Sequence, residues 1–267
     1  MTHPHIKTRL EEAIWIVTID RPAKRNALTP EMIEALSAAV READDQPEVR
    51  AVIVNAEGPV FSAGIDLGAL AESMMAAGMR NPARWLRRLA DRLQDALHTI
   101  EATEVPVIGA MQGNVMGLGL ELALAFDLRV ATEDCQLSIP EARVGLVADV
   151  GGTTRLARTV GSSRAKDMLL TARSVGAEEA HRWGLVNRVV PAGSEMTAAM
   201  TLAREIGANA PLAVGLAKLI VDQGDGVPKH TQMAIERWAQ SQLITTADVA
   251  EAMQAFVEKR PPKFKGT

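Results

Sequence analysis

Short strand-like stretches alternate with helix-like stretches along most of this chain. Ala51 to Val54 has the apolar character of a buried strand, and Pro106 to Met111 and Asp127 to Ala131 are further strand patterns. Segments with the periodicity of amphipathic helices lie among them. This alternation predicts an α/β fold rather than an all-helical or all-strand one.

Further signals indicate where the elements begin. Ile6 to Leu10 and Ile14 to Ile19 alternate β-branched with polar residues, which predicts two strands joined by a turn. Thr29-Pro30 and Asn81-Pro82 have the N-cap and first-position residues of helices. The apolar positions expected to face inward are Met32, Ile33, Leu36 and Val40 in the first helix and Leu86, Leu89, Leu93, Leu97 and Ile100 in the second.

The end of the chain has a different pattern. Gly184 to Val190 is the last strand signal, and from about Gly193 onward the pattern is helical. We therefore predict a boundary near residue 195, with an α/β core over 1–195 and a helical C-terminal region over 196–267.

Composition excludes several classes of protein. Cys135 is the only cysteine, which rules out an internal disulfide and any cysteine-based metal cage, and the five histidines have no metal-ligand spacing. A net charge of −4 argues against a general nucleic-acid surface. Without a transmembrane stretch or a secretory signal, the expected location is the cytoplasm. We expect no metal, no nucleic acid and no membrane as partners.

Two glycine-bearing segments are the most informative part of the sequence. The first glycine turn is Phe61 to Leu67, and the second glycine turn is Gly113 to Leu122. Each is predicted to follow a strand and open a helix, where main-chain N–H groups lack internal partners and the helix dipole is positive. Either turn alone is more often an ordinary turn, but two such ends facing one point make an oxyanion site.

Other glycine-rich motifs do not fit these turns. The segment Gly117 to Leu122 lacks the third glycine of a dinucleotide-binding fingerprint, and the chain has no P-loop. It also has no glycine-x-serine-x-glycine elbow, which disfavours a serine hydrolase.

The chain as a whole resembles the crotonase, or enoyl-CoA hydratase/isomerase, superfamily. Six landmarks match in order: Asp20-Arg21-Pro22 with Asn26-Ala27-Leu28, Phe61 to Leu67, Pro106 to Ala131, Pro140-Glu141, Gly151-Gly152-Thr153 with Arg155-Leu156, and Phe256 to Arg260. The resemblance implies a spiral of ββα units with a helical C-terminal trimerisation region. It also implies an acyl-CoA thioester substrate and a homotrimer or dimer of trimers.

The resemblance implies which groups hold the thioester. It makes the N–H groups of Ala63 and Leu118 the two donors to the thioester oxygen, although the family more often has glycine at position 118. Such donors stabilise the enolate that forms when charge moves onto that oxygen.

Three carboxylates are candidates for proton transfer. Glu121 and Glu141 align with the paired glutamates of the family hydratases, which suit acid and base roles around one water. Asp149 is unusual for a hydratase and resembles the third acid of dienoyl-CoA isomerases, although those more often carry aspartate at position 121. The alternatives without a catalytic role are a helix-start carboxylate for Glu121, a solvated loop acid for Glu141, and a helix cap for Asp149.

The remaining site predictions concern coenzyme A, which the resemblance makes part of the substrate, with no separate cofactor. Its contacts are expected at Lys24, Arg25, Ala63, Gly64, Ile65, Asp66 and Gly117, with Lys259 contributing from a neighbouring subunit. Arg25 is equally consistent with an ordinary solvated cation. The acyl tail is expected near Met74, Met75, Trp85 and Leu86, and core packing is the simpler role for Leu86.

The sequence favours hydration of 2-trans-enoyl-CoA over isomerisation of 3,5-dienoyl-CoA, because both hydratase glutamates are present. An acyl-CoA hydrolase or decarboxylase and a non-catalytic or RNA-binding relative are more distant alternatives.

Overall fold

A computed structural model describes residues 3–78, 81–224 and 226–267. Within them the strands are β1 (Ile6–Glu11), β2 (Ile14–Ile19), β3 (Ala51–Ala56), β4 (Val107–Met111), β5 (Asn114–Met116), β6 (Leu128–Thr132), β7 (Gln136–Ser138), β8 (Val175–Gly176) and β9 (Arg188–Val190). The helices are α1 (Pro30–Asp44), α2 (Leu67–Ala76), α3 (Pro82–Glu101), α4 (Leu118–Ala123), α5 (Gly152–Val160), α6 (Ser162–Thr171), α7 (Ala177–Trp183), α8 (Glu195–Gly207), α9 (Pro211–Gln223), α10 (Lys229–Leu243) and α11 (Ala247–Glu258).

The strands form two sheets. The larger has the order β1-β2-β3-β4-β6-β9, and the smaller has the order β5-β7-β8. In the larger sheet only β1 is antiparallel to its neighbour, and the other pairs are parallel. Parallel strands need crossover connections, which the intervening helices provide.

Helices cover both faces of the larger sheet. Along β2, Trp15 and Val17 pack into the cluster that contains the apolar stripes of α1 and α3. Ile14 and Ile16 point to the other face and pack with the residues of α8. This two-sided burial explains why the central strands are apolar throughout.

Most predicted elements are present with small differences at their ends. Thr29 Oγ1 accepts a hydrogen bond from Met32 N at 3.3 Å, and Asn81 Oδ1 accepts one from Arg84 N at 2.9 Å, so both predicted N-caps are confirmed. One difference affects the site. The second glycine turn does not pass directly from β4 to a helix, because the short strand β5 lies between them.

The C-terminal part is helical as predicted, but its first helix packs with the core. Ala199, Met200 and Ala203 of α8 are buried against the larger sheet. This packing favours placing a division after α8 rather than at residue 195; the division itself stays a prediction. None of the helices in the described ranges is long and apolar enough to cross a membrane.

Candidate active site

The two glycine turns follow neighbouring strands. β3 and β4 pair in parallel, and the first and second glycine turns come after their respective carboxyl ends. In α/β proteins, ligands bind at this edge of the sheet, because the loops that leave parallel strands meet there.

The main chains of the two turns are in close contact. Ser62 forms a β-bridge with Val115, and a β-carbon added at Gly119 would lie 2.7 Å from Ser62 Cβ. A β-carbon added at Gly64 would lie 2.9 Å from the Met116 carbonyl oxygen and 3.7 Å from the Leu118 nitrogen. Only glycine permits this approach without displacing the backbone. The expectation that the two turns meet at one place is therefore confirmed.

The second glycine turn presents the expected donor. Leu118 is the first residue of α4, and its N–H has no acceptor among the residues that the structure describes. The N–H groups at the start of a helix lack intrahelical partners, so this one is free to bind a ligand. Gly117 precedes it with a φ of 51° and a ψ of −123°, a conformation that favours glycine.

The predicted donor in the first glycine turn is wrong. The Ala63 N–H donates to the Arg25 carbonyl oxygen at 3.0 Å, so it is not available to a substrate. The Gly64 N–H donates to Ser62 Oγ at 3.1 Å, and the Asp66 N–H donates to the Leu28 carbonyl oxygen at 2.8 Å.

The N–H of Ile65 in this turn is available instead. Within the described residues it has no acceptor, and it adjoins Gly64, which contacts the start of α4. The prediction assumed that the turn opens a helix directly. In fact α2 begins at Leu67 with Asp66 as its N-cap, so Ala63 lies before the helix and its N–H pairs with Arg25.

A network of buried polar side chains fixes the shape of the first glycine turn. Asn26 is fully buried, and its Nδ2 donates to the carbonyl oxygens of Glu57 at 2.7 Å and Val60 at 2.8 Å. Ser62 Oγ donates to the Asn26 carbonyl oxygen at 2.9 Å. Arg21 Nη1 donates to Asp66 Oδ2 at 2.6 Å. These contacts give structural roles to the landmark residues around position 20.

Glu121, in the helical end of the second glycine turn, is buried. Its side chain is 3% exposed, and its Oε1 accepts hydrogen bonds from Val150 N at 2.9 Å and Gly152 N at 2.8 Å. Burial, with smaller contributions from the charges of Glu141 and Asp149, raises its pKa to about 7 against the opposing effect of the two N–H groups. Glu121 is therefore suited to exchange a proton near neutral pH.

Glu141 lies on the other side of Gly117. It begins a short 3-10 helix, Glu141–Val144, directly after Pro140, as the sequence predicts. A β-carbon added at Gly117 would lie 2.6 Å from Glu141 Oε1. The buried Oε2 has no hydrogen-bond partner within the described residues, and burial raises the pKa of this carboxyl, with the charge of Asp149 adding to the effect. A buried carboxylate oxygen without a partner suits a ligand or a water.

Asp149 belongs to the same group of carboxylates. Its charge raises the pKa of both glutamates, and burial raises its own pKa. The alternative of a helix cap is wrong, because α5 begins at Gly152 with Gly151 at the N-cap and no side-chain cap. Instead, the Glu121 carboxylate accepts the N–H at the start of α5.

Comparisons with known proteins identify the family. A family model described as enoyl-CoA hydratase/isomerase matches residues 9–267. The chain belongs to the enoyl-CoA hydratase/isomerase family. One relative is the short-chain-enoyl-CoA hydratase of Clostridium acetobutylicum, which is 35% identical over 94% of this chain and 93% of its own length. Another is the mitochondrial methylglutaconyl-CoA hydratase of Homo sapiens, which is 35% identical over 99% of this chain and 78% of its own length.

Solved structures confirm the fold. The crystal structure of an enoyl-CoA hydratase from Bacillus anthracis has a TM-score of 0.91 at 32% identity, covering 98% of this chain and 100% of that one. The predicted crotonase-type α/β fold is thus confirmed, and the protein is an enzyme of the enoyl-CoA hydratase/isomerase family.

The predicted coenzyme A contacts are only partly brought together. Lys24 and Arg25 are exposed, and the hydrogen bond from Ala63 to the Arg25 carbonyl places this loop beside the first glycine turn. The Asp66 carboxylate is already engaged by Arg21 and by Ala69 N. Lys259 ends α11 and is exposed, and no described hydrogen bond or ion pair joins it to the site.

The predicted acyl-tail residues lie on two helices. Met74 is half-buried and Met75 is exposed on α2, whereas Trp85 and Leu86 are half-buried near the start of α3. Trp85 packs against the main apolar cluster, so part of its surface is committed to the core.

Arg155 is a contributor that the sequence reasoning named without giving it a role. Its Nη1 donates to the Val150 carbonyl oxygen at 2.9 Å, and its Nε and Nη2 donate to the two carboxylate oxygens of Glu101 at 2.6 and 2.7 Å. It therefore holds the loop whose N–H groups hold Glu121. Its position three residues after the pair Gly151-Gly152 was the available signal in the sequence.

Proposed function

We propose that this enzyme hydrates 2-trans-enoyl-CoA thioesters. The observation that carries the proposal is the pair Glu121 and Glu141, both with raised pKa, beside the available N–H groups of Ile65 and Leu118. The two N–H groups would donate hydrogen bonds to the thioester oxygen and stabilise the negative charge that develops there as water adds. The reaction then needs only main-chain donors, carboxylates and water, with coenzyme A entering as part of the substrate.

The two glutamates divide the proton transfers between them. One carboxylate removes a proton from the water that attacks the β-carbon, and the other, in its protonated form, delivers a proton to the α-carbon. A pair that shares one proton meets this requirement. Mutual repulsion and burial both favour such a state, because they disfavour two charges in one site.

Isomerisation of 3,5-dienoyl-CoA to 2,4-dienoyl-CoA is the second candidate. Asp149 supports it, because its charge reaches both glutamates and it does not cap α5. An acid further along the acyl chain would help to move protons between distant carbons. We favour hydration because position 121 is glutamate, whereas dienoyl isomerases more often have aspartate there.

Parallel assays of the purified protein on 2-enoyl-CoA and 3,5-dienoyl-CoA distinguish the two. We expect hydration to dominate, and Asp149→Asn to change hydration little because the paired glutamates remain. Efficient isomerisation with negligible hydration, and its loss in Asp149→Asn, would reverse the assignment.

Assembly into a homotrimer or a dimer of trimers in the cytoplasm also stays a proposal. Large apolar side chains on the C-terminal helices support it: Trp238 is 62% exposed, Phe256 is 84% exposed and Val257 is 79% exposed. A contact between copies would cover such residues. The mass in solution, measured by light scattering, tests the assembly, and a monomer would contradict it.

A further inference from the structure

A row of arginines lies on the face of α3 that points toward Asp149. Arg84, Arg87 and Arg88 line a surface cavity of about 540 Å³. Asp149 lines the same cavity. Residues three and four apart lie on one side of a helix, so the arginines form a continuous cationic edge.

The cavity connects to the active site at Asp149. Gln94, which follows on the same face of α3, donates from its Nε2 to the Asp149 carbonyl oxygen. The Asp149 carboxylate in turn acts electrostatically on Glu121 and Glu141. One end of the cavity therefore adjoins the proposed reacting groups.

The arginines of this row lack partners that would explain them. Within the described ranges, no hydrogen bond or ion pair involves the side chains of Arg84, Arg87 or Arg88. The contrast is Arg92 on the same helix, which lies outside the cavity and donates from Nη2 to Glu34 Oε1 at 2.6 Å. Exposed arginines are ordinarily just solvated, but three that line one cavity together with Asp149, at the edge of the proposed active site, form a place for an anion.

The rest of the lining suits a carbon chain. Leu86 and Ala90 contribute apolar surface to the same cavity. With a rise of about 1.5 Å per residue, Arg88 lies about 9 Å from Gln94 along the helix axis, and Arg84 about 15 Å. Several methylene groups would therefore separate the reacting carbons from a group held by the arginines.

Resting on the proposed hydratase function, we propose that the enzyme takes acyl-CoA thioesters of medium chain length whose acyl group ends in a carboxylate, and that Arg84, Arg87 and Arg88 bind that carboxylate. Asp149 and Asp91 restrict the length of the acyl groups that can bind. Both line the cavity, and they repel a carboxylate that ends too early in the chain. The site thus disfavours short dicarboxylic acyl groups and accepts longer ones.

Binding of unreactive ligands tests this proposal without requiring turnover. The ligands are saturated acyl-CoA and ω-carboxyacyl-CoA of equal length, in a short and a medium pair, titrated into the full-length protein by calorimetry. For wild type we expect the medium ω-carboxy ligand to bind about tenfold more tightly than its neutral partner. This difference in affinity should shrink as the salt concentration is raised. We expect no such advantage in the short pair.

Variants locate the effect. In the triple variant Arg84→Gln, Arg87→Gln, Arg88→Gln, the advantage of the carboxylate should disappear while the neutral ligand binds as before. Arg92→Gln is the matched control and should leave both affinities unchanged. The substituted side chains are exposed, so the fold should be retained, and circular dichroism checks this.

Two results would overturn the inference. One is equal affinity of wild type for the two medium-length ligands. The other is a triple variant in which the affinities for the ω-carboxy and the neutral ligand fall by the same factor, which would mean that the arginines bind the phosphates of coenzyme A instead. Failure of the hydratase proposal would look different: the preference for the carboxylate would persist, but unsaturated thioesters would not be hydrated.

Discussion

The proposed donors of the first and second glycine turns are both N–H groups without a partner among the described residues, but the two are left free by different means. In the second turn the donor is Leu118, the first residue of α4, and the helix geometry itself leaves that N–H free. In the first turn the donor is Ile65, which lies in extended chain before α2. There the neighbouring segment decides which N–H groups are used, since Arg25 and Leu28 accept from Ala63 and Asp66.

The difference shows which N–H donors can be predicted from residues adjacent in the sequence. A helix start is encoded by residues next to one another, so a donor at that start follows from the sequence. An extended segment has its N–H groups assigned by whatever pairs with it, and that partner is distant in the chain. The second turn also carries Glu121, so under the proposed function it combines a donor with a proton-transferring carboxylate, whereas the first turn supplies only a donor.

The strongest test of this comparison removes the proposed proton transfer by Glu121, in the second turn, and by Glu141, which lies beside it. We expect Glu121→Gln and Glu141→Gln each to lower turnover by about 100-fold or more, because an amide keeps the shape but cannot exchange the proton. Steady-state kinetics on 2-enoyl-CoA measures this. Glu178→Gln, at an exposed position of α7, is the control and should behave as wild type. Near wild-type turnover in either site variant would remove that glutamate from the mechanism.

A second test uses stability, since the burial of Glu121 has an energetic cost when it is charged. Its folded-state pKa of about 7 exceeds the ordinary value of 4.5. The contribution of Glu121 to the stability of the fold is therefore fully present below pH 4.5 and is lost as the pH rises through 7. The shift corresponds to about 3 kcal/mol. We expect the free energy of unfolding of Glu121→Gln to gain about that much over wild type between pH 5 and pH 8.

Urea denaturation at a series of pH values measures this gain. If the free energies of unfolding of wild type and Glu121→Gln change in parallel with pH, the pKa of the Glu121 carboxyl is not raised. The proposed chemical difference between the two turns would then lose its support.

A third test loosens the first glycine turn while leaving the second intact. Ser62→Ala removes the hydroxyl that joins the Asn26 carbonyl oxygen to the Gly64 N–H but keeps the β-carbon against Gly119. We expect kcat to fall about tenfold, less than the loss of a whole donor, because the Ile65 N–H is displaced rather than removed. Ser37→Ala, at a buried serine of α1, is the control and should leave kcat unchanged. An unchanged kcat in Ser62→Ala would show that this network does not position the donor.

The smallest effect is expected at Arg155, which acts on the second turn only through the loop at Val150. Arg155→Lys cannot keep both the contact to Val150 and the paired contacts to Glu101. The N–H groups of Val150 and Gly152, which hold down the pKa of Glu121, would then be less well placed. We expect a loss of turnover of a few-fold and a shift of the Glu121 limb of the pH–rate profile to higher pH. A loss of turnover without a shift would indicate a purely structural role.

Much of the site could be anticipated before the structure. The caps at Thr29 and Asn81, the strand and helix alternation, and the glutamates 121 and 141 all followed from local patterns or from motif order. The predicted donor at Ala63 was wrong, and so was the alternative of a helix cap at Asp149; both depend on where α2 and α5 begin relative to distant parts of the chain.

The sequence by itself determined the α/β class, the positions of the two glycine turns and the family, because strand and helix periodicity and ordered motifs are properties of neighbouring residues. Only the tertiary structure decided that Ile65 rather than Ala63 offers the free N–H, that Glu121 caps α5 across the site, and that the arginines of α3 share a cavity with Asp149. The physical reason is that hydrogen bonds, burial and electrostatic coupling act between segments that meet only in the folded chain.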